Sequence, residues 1–169
     1  MSTEPHPHEA YLGVGSNVGN KIENITRSLA FISEQVGNIA TKSSLYRSEP
    51  WGNRDQDSFI NIVIKITTAQ SCETLLKTLL NIEDKMGRVR TEKWGPRTID
   101  IDILYYDNLI LDMDYLTIPH IELPYRRFVL TPLVEIAPHF MHPFFKLTNE
   151  ELLQECDDNL TVTALQNVY

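Results

Sequence analysis

Two short stretches of strict alternation limit the folds open to this chain more than any other feature. In Thr98–Tyr106, Ile99, Ile101, Ile103 and Tyr105 alternate with Asp100, Asp102, Leu104 and Tyr106. In Phe59–Thr67, Ile60, Ile62, Ile64 and Ile66 alternate with Phe59, Asn61, Val63 and Lys65. A period of two belongs to β-strands, whose successive side chains leave opposite faces. The isoleucine face of each strand should pack inward, so Phe59, Asn61, Asp100 and Asp102 project together from the other face.

Two helical patterns lie among these strands. Ile22, Ile25, Leu29, Ile32 and Val36 recur at helical spacing until Gly37-Asn38 stops them. Ser71 can cap a second helix with Leu75, Leu79, Ile82 and Met86 on one face, ended by Gly87. Tyr11, Leu12 and Val14 predict a short strand that runs into the glycine-rich turn Gly13–Asn20, and Ile39 to Tyr46 favours another strand. Asp107-Asn108 predicts a hairpin turn from Thr98–Tyr106 into Leu109–Leu111. Phe128 to Ile136 is a short apolar segment with Pro132 inside it, and Thr148 to Glu151 carries a capping-box pattern for a last helix. The order strand, helix, strand, strand, helix, strand predicts an α+β, ferredoxin-like split βαβ sandwich. Its sheet would be rich in antiparallel pairs, with helices on one face and the active site on the other. With 169 residues there is room for one domain, expected over residues 10–169 after a flexible N-terminal tail at 1–9.

Charge and cysteine content narrow the classes of function. A net charge of −8 disfavours non-specific nucleic-acid binding, which rests on Lys and Arg meeting phosphates. Cys72 and Cys156 are far apart and lack paired-ligand spacing, which argues for a reducing compartment and against both a disulfide framework and a Cys-type zinc site. The polar start, Met1 to Glu9, lacks the apolar run of a secretory signal, and no stretch reaches membrane-spanning length. A cytoplasmic protein with no membrane or nucleic-acid partner is expected, and a monomer.

Asp100 and Asp102 are the most informative pair. Two like charges side by side on a strand repel, and a hard divalent cation such as Mg2+ would compensate them. A solvated edge-strand face accounts for a bare D-x-D equally well. Here, however, Arg88, Arg90, Lys93 and Arg97 fall within one ten-residue span, 88–97, that ends shortly before the pair. Carboxylates for a metal and guanidiniums for phosphate oxygens on one loop–strand unit are the parts of a phosphoryl-type transfer site. Phe59 and Asn61 could stack a flat heterocycle and hydrogen-bond its edge, or could be a core Phe and a sheet-end Asn. His120 after Pro119 is open to a plain loop reading. The glycine-rich turn is neither a Walker A loop nor a dinucleotide fingerprint, and reads as a shaped strand-to-helix connection. Two other classes remain at this point: an RNA-binding split βαβ module, which Asp100 and Asp102 would disfavour, and a ligand-binding domain of the same fold without catalysis.

The run Lys93-Trp94-Gly95-Pro96-Arg97-Thr98-Ile99-Asp100-Ile101-Asp102-Ile103-Leu104 resembles the signature of the 6-hydroxymethyl-7,8-dihydropterin pyrophosphokinase family. Further landmarks agree in order: Gly13-Val14-Gly15-Ser16-Asn17, Ser44-Leu45-Tyr46 into Glu49-Pro50, Asp55-Gln56 with Phe59 and Asn61, Gly87-Arg88-Val89-Arg90, Pro119-His120, and Arg126 with Phe128. The resemblance implies transfer of pyrophosphate from ATP to the hydroxymethyl oxygen of the pterin, releasing AMP, in folate biosynthesis. It implies that Asp100 and Asp102 hold two Mg2+ ions and that Arg88 and Arg97 stabilise the transferring group. Phe59 and Phe128 would sandwich the pterin, with Asn61 on its edge and backbone groups around Ser48, Glu49 and Trp51 beside it. Glu83, Arg90, Trp94, Ile103, His120 and Arg126 match positions that line the nucleotide site. The chain departs from relatives in a loop between Arg90 and Trp94 that is one residue short, in Ile121 where several carry Tyr, and in Leu80 where some have a polar residue.

Overall fold

The computed structural model describes residues 6–50, 55–87 and 98–166. Strand β1 (His8–Ser16) lies between β4 (Phe59–Thr68) and β5 (Asp100–Tyr106), antiparallel to both. Strands β2 (Asn38–Lys42) and β3 (Tyr46–Ser48) share the far side of β4, and β3 is itself paired with β8 (Val162–Ala164). The resulting order β5-β1-β4-β3-β8, with β2 also on β4, is the split βαβ order with one added edge strand.

Helices α1 (Lys21–Gln35) and α2 (Cys72–Lys85) cover one face. Their starts are set by Asn20 and Ser71, whose side chains accept from the amides of Glu23 and Thr74. Gly87 follows α2 at φ 79, a conformation that suits glycine. Ile25, Ile32, Leu75, Leu79 and Ile82 meet the isoleucines of β4 and β5 in one buried cluster, each contributing roughly 1.5–3 kcal/mol by leaving water. The sheet's second face is shared. Its Tyr11 end is covered by α3 (Arg127–Ile136) and α4 (Asn149–Glu155), and its Gly15 end is open.

Several local readings change. The glycine-rich segment is not a turn up to Ser16, because β1 runs through Gly13 and Gly15 to that residue. At its other end β1 begins at His8, so His8 and Glu9 are paired with β4. The alternation in β5 breaks after Ile103. Tyr11 lies opposite Tyr105 and Leu12 opposite Ile103, which makes Leu104 the extra residue of a β-bulge. Leu104 and Tyr105 therefore both join the α3 side, and Tyr106 turns to the α1–α2 side. Asp107 does turn the chain, at φ 48, but its carboxylate is held by His8 Nδ1 (2.7 Å) and the Glu9 amide (2.8 Å). The strand that follows, β6 (Leu111–Met113), pairs with β7 (Leu116–Ile118) and not with β5. The Phe128–Ile136 segment belongs to helix α3, which holds Pro132 in its interior, the residue that obscures the helix in the sequence.

Glu135 of α3 ties the second layer to the sheet. Its carboxylate accepts from Ser44 Oγ at 2.6 Å, Tyr46 Oη at 2.8 Å and the Ser44 amide at 2.9 Å. Burial pushes its pKa up, but these hydrogen bonds outweigh burial and hold it below its ordinary 4.5. A carboxyl depressed in the folded state stabilises above its unfolded pKa, and that stability drains away as pH falls through the folded value. We expect Glu135→Gln to cost about 1 kcal/mol at pH 7, or roughly 2–4 °C in Tm. Thermal melts should show the gap closing towards pH 3, and a gap that widens in acid would contradict the assignment. No helix among the described residues is long and apolar enough to cross a membrane.

Candidate active site

The strand registers line up two rows across the open end of the sheet. Asp100 lies opposite Gly15, which lies opposite Asn61; Asp102 lies opposite Gly13, which lies opposite Val63. Cross-strand partners share a face, so two glycines separate the carboxylates of β5 from the amide of β4. A Cβ on Gly15 would stand 2.7 Å from Asn61 Oδ1, and one on Gly13 would stand 3.5 Å from Leu104. The glycines are thus the floor of a trough. Their spacing of two within an alternating stretch was the signal for this role.

The trough opens into a cavity of about 530 Å³. Phe59 and Asn61 of β4, Glu49 after β3, and Phe128 at the start of α3 bound it over the sheet face. Around the free edge of β5 it continues past Ile103, Leu80 and Glu83 of α2, and Thr117 of β7. Asp100, Asp102, His120 and Arg126 also line the cavity. One cavity therefore gathers every described residue that the sequence reading assigned to the site except Ser48. That residue sits behind the wall, where its Oγ accepts from Asn61 Nδ2 at 2.6 Å. Trp51, Arg88, Arg90, Trp94 and Arg97 lie outside the described residues. The β6–β7 residues Tyr115 and Thr117 were missed, since nothing in their sequence pattern marks a short hairpin as a wall.

Asn17, at the end of the glycine segment, donates from Nδ2 to Gln56 Oε1 (2.7 Å) and to the Asp57 carbonyl (3.3 Å). Lys21 Nζ adds a bond to the Ser58 carbonyl at 2.7 Å. These contacts fix the chain that leads into Phe59.

The site's charges are close together and half-buried. His120 Nε2 lies 3.8 Å from Asp102 Oδ2, and His120 Nδ1 accepts from the Glu122 amide at 3.1 Å. Burial, and then the neighbouring Arg126, lower the His120 pKa to about 4 against the opposing pull of Asp100 and Glu122. The imidazole is therefore neutral at pH 7, with Nδ1 committed as an acceptor and Nε2 left to donate into the site. Burial also lowers the Arg126 pKa, while Asp102, Glu122 and Asp100 pull it back up. Its guanidinium stands 5.6 Å from the Phe128 ring centroid.

Asp100 and Asp102 offer two carboxylates on one strand face. Mg2+ accepts such a pair when substrate phosphates and water complete its octahedral shell, so the donor set fits that ion. A polyphosphate would meet a metal-binding pair, a buried guanidinium and a neutral imidazole donor. A flat ring would meet Phe59, Phe128 and an amide. The site can align an anionic donor with a planar acceptor.

Comparison with known proteins agrees. A family model described as 7,8-dihydro-6-hydroxymethylpterin-pyrophosphokinase (HPPK) matches residues 11–138. A Haemophilus influenzae protein named 2-amino-4-hydroxy-6-hydroxymethyldihydropteridine pyrophosphokinase is 41% identical over 153 residues, spanning 89% of this chain and 95% of that protein. The Dictyostelium discoideum folic acid synthesis protein FOL1 is 45% identical over 142 residues, spanning 84% of this chain. This chain covers only 22% of the Dictyostelium protein and 20% of its Schizosaccharomyces pombe counterpart. Among solved structures, Plasmodium falciparum HPPK-DHPS with STZ-DHP superposes with a TM-score of 0.74 at 16% identity, covering 91% of this chain and 44% of that one. That likeness concerns the fold.

Proposed function

The chain belongs to the 7,8-dihydro-6-hydroxymethylpterin-pyrophosphokinase family, and on that premise we propose that it transfers pyrophosphate from ATP to the hydroxymethyl group of 6-hydroxymethyl-7,8-dihydropterin, releasing AMP, in folate synthesis. The observation that carries this reading is the glycine-floored trough. It sets a ring-and-amide patch and a carboxylate pair against each other across one sheet face.

In this reading Phe59 and Phe128 flank the pterin and Asn61 bonds its edge, with its amide oriented through Ser48 Oγ. The hydroxymethyl oxygen is thereby held towards Asp100 and Asp102. Its attack on the middle phosphorus of ATP breaks the bond to the oxygen that AMP retains, and the hydroxyl proton leaves to solvent. Arg126 offers charge, and neutral His120 a hydrogen bond, to phosphate oxygens. Glu83 and Ile103 line the part of the cavity assigned to the nucleotide. Arg88, Arg90, Trp94 and Arg97 are assigned to ATP, and Trp51 to the pterin, by resemblance. Two Mg2+ ions held by Asp100 and Asp102 would neutralise the phosphates. Little covalent chemistry is left for the protein, because such transfers depend mainly on position and charge. We further assign a single catalytic domain that takes in the expected residues 10–169 together with His8 and Glu9 of β1, acting as a monomer. A cytoplasmic setting suits the free thiols of Cys72 and Cys156.

The acceptor is tested by following ATP loss with and without the pterin. Consumption that requires both the pterin and Mg2+ is expected. Consumption indifferent to the pterin would remove the acceptor, and none at any Mg2+ concentration would favour a domain that binds without catalysing. Phe59→Ala sharpens the assignment. It should weaken pterin binding by roughly 0.5–1.5 kcal/mol beyond the lost area and leave an unreactive ATP analogue unaffected, as read by calorimetry. A variant that keeps pterin affinity and loses nucleotide affinity would place Phe59 in the other subsite.

A further inference from the structure

Residues 139–166 lie beyond the match to the family model and carry no site residue recognised in the sequence. Even so, they reach both walls of the pterin subsite. On one side, β8 pairs with β3 so that Ser48 lies opposite Val162, and the Leu165 amide donates to the Leu45 carbonyl at 2.8 Å. Just before β8, the Thr161 amide donates to Glu49 Oε1 at 3.1 Å, and the Glu49 amide returns a bond to the Thr161 carbonyl at 3.4 Å. Glu49 lines the cavity, and Ser48 accepts from Asn61 Nδ2.

On the other side, Asp158 Oδ2 accepts from the Arg127 amide at 2.9 Å, and the Asp158 carbonyl accepts from Arg127 Nε at 2.7 Å. Arg127 is the first residue of α3, and the N-cap position, Arg126, has no side-chain cap of its own. Asp158 supplies that cap from a distant part of the chain, with a carboxylate at the helix end that favours negative charge. The next residue is Phe128. Asp158 and Thr161 are three residues apart, and the remaining Asp158 oxygen accepts from the Leu160 amide at 3.0 Å, which stiffens the span between them.

We propose that the segment Asp158–Leu165 is a strap that sets the spacing of the pterin clamp, with Asp158 and the Thr161 backbone as positioning groups for the Phe128 and Ser48–Glu49 walls. The role rests on the assignment of these walls to the pterin. The strap makes no contact with the Asp100–Asp102 strand in any pairing of the sheet. It should therefore act mainly on the pterin, with ATP affected less and only through Arg126, the residue before Arg127. A tail that merely stabilised the fold would lower the amount of active enzyme, and with it apparent turnover, and leave both KM values unchanged.

Two variant pairs test this. Asp158→Ala removes the cap, and Asp158→Asn keeps one acceptor oxygen for the Arg127 amide while giving up the charge and the bond from the Leu160 amide. Thr161→Pro deletes the amide donor just before edge strand β8, a position that tolerates proline, and Thr161→Ala keeps that donor. We expect Asp158→Ala and Thr161→Pro each to raise KM for the pterin about tenfold, with a much smaller change in KM for ATP, Thr161→Ala to behave like wild type, and Asp158→Asn to fall between wild type and Asp158→Ala. Hydrogen exchange, which needs no turnover, should quicken at the amides of Glu49 and of Phe128 to Leu130 in the two disrupted variants. An unchanged pterin KM in both, equal rises for both substrates, or unaltered exchange at these amides would overturn the strap. Should Thr161→Pro fail to fold, the Asp158 pair decides alone. If wild type turns over no pterin, the proposed function fails while the exchange result still decides the strap.

Discussion

Asp102→Asn and Asp100→Asn should each lower turnover on the order of a thousandfold or more without unfolding the protein. The substitution keeps the shape of the side chain and removes one of the two charges that would hold Mg2+ against the phosphates. Preorganised charge at a transferring group is usually the largest single contribution to such a rate. Strand β5 itself does not need the carboxylates, since its folding rests on Ile101 and Ile103 on the opposite face. Measured without Mg2+, Tm of Asp100→Asn should stay level or rise as repulsion within the pair is relieved. Asp102 has the stronger pull on buried Arg126, so that relief should be smaller for Asp102→Asn. Wild-type Mg2+-dependent activity in both variants would sink the metal assignment. A collapse in Tm would make the pair structural.

Gly37→Ala should have the opposite profile. Gly37 closes the turn from α1 into β2, where an added Cβ would lie 2.1 Å from the Thr67 carbonyl oxygen and 3.1 Å from Thr68 Cα. Both obstacles are backbone, so no side chain can swing aside. Neighbouring bonds prevent the turn from lifting away: Thr68 Oγ1 donates to the Val36 carbonyl at 2.7 Å, and Gln70 Nε2 donates to the Gln35 carbonyl at 2.9 Å. Overpacking of this kind costs about 3 kcal/mol or more, or roughly 6–12 °C in Tm for a chain of this size. The turn is remote from the cavity, so the folded fraction should retain wild-type KM values for both substrates. Thermal melts and initial rates measure the two sides. A loss under about 1 kcal/mol would contradict the close approach.

The sequence was a good guide wherever one period ran unbroken. The isoleucine faces of β4 and β5, both helices of the first layer with their caps, and the capping box at Thr148 followed from spacing and cap chemistry. It misled where a single residue broke the period. One bulge at Leu104 exchanged the faces of Tyr105 and Tyr106, and one proline concealed α3. Asp107 offered a plausible hairpin turn, but its carboxylate was already committed to β1. Among site residues, Asp100, Asp102, Phe59 and Asn61 could be grouped from parity alone. Gly13 and Gly15 also have a spacing of two, but that signal was read as part of a turn, because a glycine adds no apolar side chain and its function is to leave space. His120, Arg126 and Phe128 came only through family likeness. They reach the cavity from loops and a helix end, positions that no local periodicity encodes.

In the proposed reaction a pterin alcohol held by Phe59, Asn61 and Phe128 attacks the middle phosphorus of ATP. Carboxylates, arginines and Mg2+ could equally serve attack at the terminal phosphorus, so the identity of the spent nucleotide is the direct test. With Mg2+, ATP and 6-hydroxymethyl-7,8-dihydropterin, chromatography should show AMP formed one for one with a pterin that carries two phosphates, and no AMP when the pterin is omitted. ADP in place of AMP would contradict this reaction.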